Sequence, residues 1–384
     1  MHLFSTIYFG LIAFSSVTGT ILCGFGLRQL PWLARTEPMR SDRAPAISII
    51  FAARDEAEKL PEALPTLLSQ NYADYEIVAV NDRSRDATPD ILNQFARASN
   101  RLRVLNVTEL PRGWLGKTHA LDAGYRASRG EWLVFTDADV RFAPDVLARA
   151  MNLAQQRGWD HLTLLAGIDM HGLWEITAIS YFGLVFVAGN GMWDVNRPGS
   201  RAYNGVGAFQ LVRREAYERA GGHTRLALEV IDDMKLGKII KLAGFTSGTA
   251  IGLDEVRVRW HAGLRNIISG VTKNMFAGFR YNVAFACAGF MTPIVFSLSP
   301  IVGVIFATGW ARIFAAIALA MGLALQSLVL RSARRSPLYA LTNPIGAILF
   351  DWMILRSVVV TLWQGGVKWR DTFYSLDELR KGMV

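Results

Sequence analysis

The sequence predicts an α/β domain, a mainly parallel sheet flanked by helices, joined to transmembrane helices. Three observations carry this. Between Ile47 and Asp137 short β-favouring runs alternate with segments of helical spacing, the pattern of a parallel sheet with crossover helices. Apolar, nearly uncharged stretches lie towards both ends of the chain, and about 20 such residues suffice to span a bilayer. Two carboxylates one residue apart close the run Glu131-Trp132-Leu133-Val134-Phe135-Thr136-Asp137-Ala138-Asp139. In a strand, residues i and i+2 share a face, so Asp137 and Asp139 project together where that strand ends.

The elements follow in order. Residues 1–27 are apolar with no Lys or Arg ahead of them, which favours an uncleaved anchor over a signal peptide. Arg28, Arg35, Arg40 and Arg43 come next, and the positive-inside rule puts them in the cytoplasm. Residues 28–45 read as a linker and 46–255 as the α/β domain. That domain begins with a strand at Ile47-Ser48-Ile49-Ile50-Phe51. A helix over 55–70 carries Leu60, Leu64, Leu67 and Leu68 on one face. A strand over 75–80 precedes a helix over 87–98 that Asp86 can cap. A third strand covers 102–107, a helix covers 117–128, and the strand ending at Asp137 closes the series. Such sheets bind ligands beyond the carboxyl ends of their strands, which is where Arg54, Asp82 and Asp139 fall.

Beyond this domain the character changes. Residues 256–282 interleave Arg257, Arg259, His261, Arg265, Lys273 and Arg280 with Trp260, Leu264, Ile267, Ile268, Met275 and Phe276. That mixture suits an amphipathic helix in the membrane interface; the alternative is a surface helix of the soluble domain. Residues 283–308 and 310–330 read as two spans with a tight turn near Gly309, and Arg331, Arg334 and Arg335 return the chain to the cytoplasm. Residues 338–363 contain Pro344, Asp351 and Arg356 and either cross or re-enter the bilayer. A tail of mixed charge occupies 364–384.

Composition agrees with a membrane protein. Of 384 residues, 51% are hydrophobic and 19% charged, with a net charge of +9. No nucleic-acid motif accompanies this basicity, so no nucleic-acid partner is expected. Anionic headgroups beside the apolar spans explain it better. The cysteines, Cys23 and Cys287, are too few for a disulfide framework or a Cys metal site.

Like charges about 4 Å apart repel by about 4 kcal/mol at an effective dielectric near 20. A divalent cation would remove that cost at Asp137 and Asp139, and oxygen ligands suit Mg²⁺ or Mn²⁺. Further motifs stand in a fixed order: Ala53-Arg54-Asp55-Glu56, Asn81-Asp82-Arg83-Ser84-Arg85-Asp86-Ala87-Thr88 and Gly113-Trp114-Leu115-Gly116-Lys117-Thr118-His119. Thr136-Asp137-Ala138-Asp139 follows, then Asn204-Gly205-Val206-Gly207-Ala208-Phe209, and later Val230-Ile231-Asp232-Asp233. This ordered set resembles family-2 glycosyltransferases of the GT-A nucleotide-diphospho-sugar transferase fold. It is most similar to membrane-anchored members that glycosylate lipids, of the ceramide glucosyltransferase-like, hopanoid-associated and carotenoid types. The resemblance covers residues 46–282.

It implies an inverting single displacement from a nucleotide-sugar, a UDP-sugar, to a hydroxyl on a membrane lipid, in a bacterial inner membrane with the catalytic domain cytoplasmic. Asp139 would hold the metal and Asp137 would lie nearer the ribose. Asp82 would accept hydrogen bonds from the uracil or ribose, or simply form an Asx-turn. Arg54 and Glu56 would line the base pocket, or pair at the surface. Lys117 would meet a phosphate beside free backbone N–H groups. Asp233 would take the acceptor proton and Asp232 would orient it or touch the acceptor; the alternative is a capping pair. Gly205 and Gly207 would allow close backbone approach under sugar or acceptor, with Trp193 and Trp260 in the acceptor region. His261 is a further candidate metal ligand, and alternatively an interfacial histidine without metal. Processive synthases of the family carry Q/R-x-x-R-W; here Arg259-Trp260 is present but Val256 fills the first position, which favours single transfer. A processive polysaccharide synthase and a non-catalytic nucleotide-sugar-binding scaffold are the alternatives.

Overall fold

The structure is a computed structural model that describes residues 2–40 and 44–384; Arg43 lies outside the described residues. The chain divides into two compact units. One holds residues 30–169, 192–260 and 381–384, and the other holds 1–29, 170–191 and 261–380.

The first unit is built on eight strands. They are β1 (Ile47–Ala53), β2 (Tyr75–Asp82), β3 (Leu102–Val107), β4 (Trp132–Asp137), β5 (Val140–Phe142), β6 (His161–Ile168), β7 (Gln210–Arg213) and β8 (Ser247–Val258). Their order in the sheet is β3-β2-β1-β4-β7-β6-β8-β5. The pairs β1–β2, β2–β3, β1–β4 and β6–β8 are parallel, whereas β7 runs antiparallel to both β4 and β6, and β5 antiparallel to β8. The sheet is therefore mixed, with its parallel half first in the chain.

Strand β1 shows why both faces must be covered. Successive side chains point to opposite faces, yet Ile49 and Ile50 are both fully buried. On one side Ile47, Ile49 and Phe51 meet Leu60, Leu64 and Leu67 of the helix Leu60–Leu68. On the other, Ile50, Val78, Val80, Leu133 and Phe135 meet Ala120 and Leu121 of the helix Gly116–Ala127, and Leu236, Ile239 and Ile240 of the helix Asp232–Leu242. Leu64→Ala removes a fully buried side chain and is expected to lower stability by about 2–5 kcal/mol, measurable by denaturant unfolding of the detergent-solubilised protein.

The helix Leu60–Leu68 starts later than its apolar pattern suggests. Residues 54–59 are used otherwise: Asp55 takes a left-handed φ of 55°, and the N–H groups of Asp55, Glu56 and Ala57 donate to Ser84, Thr88 and Asp86 side chains. Asp86 Oδ1 accepts from Thr88 N–H at 3.0 Å at the start of the helix Thr88–Ala98.

The second unit is helical. Among the described residues five helical stretches are long and apolar enough to cross a membrane: His2–Gln29, Gly172–Asn196, Val283–Phe306, Gly309–Ser332 and Pro337–Gln364. Phe9, Ile12 and Ala13 of the first pack on Ala311, Ala315 and Ala318 of the fourth. Small residues allow such close approach where no hydrophobic drive exists between helices. The second stretch lies inside the range 46–255, which the sequence reads as one domain. The helix Gly172–Asn190 is apolar around its whole circumference and groups with the other apolar helices. Its one early charge is absorbed locally: Glu175 accepts from His171 N–H at 2.7 Å and Gly263 N–H at 2.6 Å. Within 256–282, the helix Leu264–Gly278 buries Ile267, Val271, Met275 and Phe276. Pro344 sits in the first turn of the helix Asn343–Gln364, where a missing N–H costs no hydrogen bond, so that segment continues as one helix.

Candidate active site

Register brings the site together. Ala53 of β1 lies opposite Asn81 of β2, and Ala52 opposite Asp137 of β4. The residues that follow these strands therefore leave the sheet along one edge. The loops after β1 and β2 are stitched to each other by Asp55 N–H to Ser84 Oγ (3.1 Å), Glu56 N–H to Thr88 Oγ1 (2.8 Å), Ala57 N–H to Asp86 Oδ2 (3.0 Å) and Arg85 N–H to Asp55 Oδ1 (2.8 Å).

Asp82 is 3% exposed. Arg83 has a left-handed φ of 55°, which costs roughly 1–2 kcal/mol, and it folds back onto its neighbour. Its Nε donates to Asp82 Oδ1 at 2.7 Å and its Nη2 to Oδ2 at 3.1 Å. Arg54 Nη1 stands 3.9 Å from Asp82 Oδ2. Gly116 makes room for this group: a Cβ there would lie 2.4 Å from Asp82 Oδ2 and 2.7 Å from Arg83 Nη2.

The pair that ends β4 meets two lysines. Lys117 Nζ is 2.8 Å from Asp137 Oδ1, and Lys59 Nζ is 2.7 Å from Asp139 Oδ2 and 3.4 Å from Glu56 Oε2. Burial, with the neighbouring Asp137 charge, pushes the Asp139 carboxyl above the usual carboxylate range against the pull of Lys59. Burial pushes the Lys117 ammonium down, but Asp137, Asp232 and Asp233 together outweigh it and hold Lys117 above the ordinary lysine value.

Asp232 and Asp233 open the helix Asp232–Leu242, where the helix dipole favours carboxylates. Asp232 Oδ2 is 3.8 Å from Lys117 Nζ, so one ammonium touches both acidic pairs. Asp233 accepts from Gly207 N–H at 3.0 Å and from Met234 N–H at 2.8 Å. Burial raises its pKa; Lys117 and these two amides pull it back, and Asp137 adds to the rise.

Gly205 and Gly207 do permit close approach, but to the chain's own residues. A Cβ at 205 would lie 1.8 Å from the Asp233 carbonyl oxygen, and one at 207 would lie 2.7 Å from Asp137 Oδ2. This loop draws the end of β4 and the start of the Asp232 helix together.

The structure thus gathers Arg54, Asp82, Lys117, Asp137, Asp139, Asp232, Asp233, Gly205 and Gly207, with Glu56 attached through Lys59. Trp193 is half-buried at the start of the turn Asp194–Asn196, and Trp260 is half-buried just past β8. His261 belongs to the helical unit. Its ring covers Gly270 so closely that a Cβ there would lie 2.2 Å from Nε2. Two contributors were missed as site residues, Lys59 and Arg83. Arg83 stands inside a quoted motif; Lys59 has no local signal, because its partner Asp139 is 80 residues away.

Asp137 and Asp139 fit a hard divalent cation: they offer only oxygens, and their charges oppose each other. Among the described residues no three His, Cys, Asp or Glu side chains converge, so phosphate and water oxygens would complete the shell, as Mg²⁺ prefers.

Comparison with known proteins agrees in kind. Residues 48–168 match the model of glycosyl transferase family 2. The chain is 26% identical over 244 residues to the 4,4'-diaponeurosporenoate glycosyltransferase of Staphylococcus haemolyticus, covering 61% of this chain and 62% of that protein. It is 26% identical over 200 residues to the beta-monoglucosyldiacylglycerol synthase of a Nostoc species, covering 50% of this chain and 40% of that protein. The match thus spans less than two thirds of these relatives. Among solved structures, the Pyrobaculum calidifontis mannosyltransferase PcManGT, in complex with GDP-Man and Mn²⁺, superposes with a TM-score of 0.53 at 20% identity, over 93% of this chain and 99% of that one. That similarity shows the GT-A fold.

Proposed function

From the match of residues 48–168 to the model of glycosyl transferase family 2, we propose that this chain moves a sugar from a nucleotide-sugar donor, a UDP-sugar, to a hydroxyl of a membrane lipid. The observation that carries this is the position of Lys117, 2.8 Å from Asp137 and 3.8 Å from Asp232. It joins a donor-side acidic pair to an acceptor-side acidic pair in one site.

The residues divide the work. Asp82, flanked by Arg54 and Arg83, accepts hydrogen bonds from the base or ribose, and Asp137 lies towards the ribose. Asp139, with Asp137, would hold Mg²⁺ or Mn²⁺, which would neutralise charge on the departing diphosphate. Lys117 offers its ammonium to a phosphate oxygen. Asp233 takes the proton of the acceptor hydroxyl while Asp232, opposite Lys117, fixes the helix start. The acceptor oxygen bonds to the anomeric carbon as the carbon–phosphate-oxygen bond breaks. The electron pair leaves with the nucleoside diphosphate, the proton stays on Asp233, and the configuration inverts.

A lipid acceptor is supported by the five membrane-length apolar helices and by relatives named for a carotenoid and a diacylglycerol product. Arginines beside the spans, Arg28, Arg35, Arg331 and Arg334, support a cytoplasmic catalytic unit, and the bacterial source of the relatives supports a bacterial inner membrane. The test is release of nucleoside diphosphate in liposomes with UDP- and GDP-sugars and lipid extracts, with product mass read in parallel. A single added sugar is expected. Long products would indicate a polysaccharide synthase, and nucleotide binding without transfer a scaffold.

Gly116→Ala tests the nucleotide end. Its Cβ would sit 2.4 Å from Asp82 Oδ2 and dislodge the carboxylate. UDP affinity is expected to fall about tenfold, the loss of one hydrogen bond to a charged group, measurable by calorimetry.

A further inference from the structure

Glu229 and Lys235 form an ion pair at 3.5 Å, 3% and 5% exposed, that plays no part in the chemistry above. Burying two charges is expensive unless their remaining hydrogen bonds are satisfied. Here residues 381–384 satisfy them. Val384 N–H donates to Glu229 Oε1 at 2.5 Å, and Val384 O accepts from Lys235 Nζ at 2.6 Å and Lys238 Nζ at 2.9 Å. The Val384 side chain packs on the cluster containing Leu236, Ile239 and Ile240. Gly382 sits so close that a Cβ would lie 2.5 Å from Leu228 Cβ.

These contacts fall on the loop before Asp232 and on the helix Asp232–Leu242 that Asp232 and Asp233 open. The same loop is gripped at Ala227, whose carbonyl accepts from Leu115 N–H at 2.7 Å and Thr118 Oγ1 at 2.8 Å. Those donors flank Lys117. The segment leading to the base is therefore fixed at one end by the Lys117 helix and at the other by residues 381–384.

We propose that residues 381–384 are a positioning strap that seats the Glu229–Lys235 pair and so holds Asp233 in register with Lys117 and Gly207. The proposal rests on the transfer reading for Asp233. A misplacement of about 1 Å costs up to about 10²-fold in rate, so the strap acts on turnover and not on the nucleotide end.

The test uses the protein of residues 1–384 in detergent beside two variants, deletion of residues 381–384 and Gly382→Leu. The second unseats the segment by its clash with Leu228 while leaving both charges in place. Amide hydrogen exchange over residues 229–236 should quicken about tenfold in both, with residues 132–139 unchanged. Turnover, read as nucleoside diphosphate released, should fall in kcat by about 10²-fold with donor KM and affinity for UDP and Mn²⁺ unchanged. Unchanged exchange over 229–236, or unchanged kcat, overturns the strap. So does a fall in UDP affinity equal to the fall in kcat, which would mark general unfolding. The exchange arm needs no substrate, so it decides the strap even if no donor turns over, a result that would count against the transfer reading alone.

Discussion

Asp233→Asn is expected to lower kcat by about 10³-fold, within the range a positioned general base contributes, and to leave nucleotide binding intact. The substitution is nearly isosteric, but Gly207 N–H and Met234 N–H donate to different oxygens of the carboxylate, so the single amide oxygen keeps one of these bonds and its NH2 group faces the other donor. Besides that bond, what is lost is the ability to take a proton. The wild-type rate also carries a pH signature. Burial raises the Asp233 pKa despite the opposing pull of Lys117, and the base works only when deprotonated. Activity should therefore fall on the acid side through a midpoint above the usual carboxylate range. Initial rates across pH, with UDP binding followed separately, check both statements. A variant that keeps most of its kcat would remove Asp233 from the proposed chemistry.

Asp139→Asn is expected to lower kcat/KM by at least about 10²-fold, the scale of losing preorganised stabilisation of developing charge. The substitution removes a charge from the donor set proposed for the cation and leaves Lys59, 2.7 Å away in the wild type, facing a neutral amide. Mn²⁺ binding in the presence of UDP, followed by electron paramagnetic resonance, should weaken in step with activity. Fold stability should change little or rise, because burial and Asp137 already oppose the Asp139 charge. Mn²⁺ binding that survives the substitution would place the cation elsewhere.

Local pattern accounts for the first half of the sheet-containing unit. The third strand spans Leu102–Val107 and the helix before it Thr88–Ala98, because period-two and period-3.6 hydrophobicity are properties of a few consecutive residues. The carboxyl-end positions of Arg54, Asp82 and Asp139 follow from strand direction alone. The second half is different. Strand β7 has four residues and pairs antiparallel between β4 and β6, a choice made by partners far along the chain. The helix Gly172–Asn190 lacks a polar face, and nothing within its own sequence separates a buried core helix from a membrane one. Lys59, and the approach of Gly205 and Gly207 to Asp233 and Asp137, are products of long-range closure that no spacing encodes.

The central claim is that one site, at the carboxyl ends of β1, β2 and β4 and the start of the Asp232 helix, binds a nucleotide diphosphate through a cation and presents Asp233 to the acceptor. An electron cryo-microscopy map of the protein with Mn²⁺ and UDP tests it most directly. The account predicts the base beside Asp82, the ion on Asp139 and a phosphate oxygen near Lys117. Nucleotide density on any other face, with these side chains unmoved and unliganded, would contradict it.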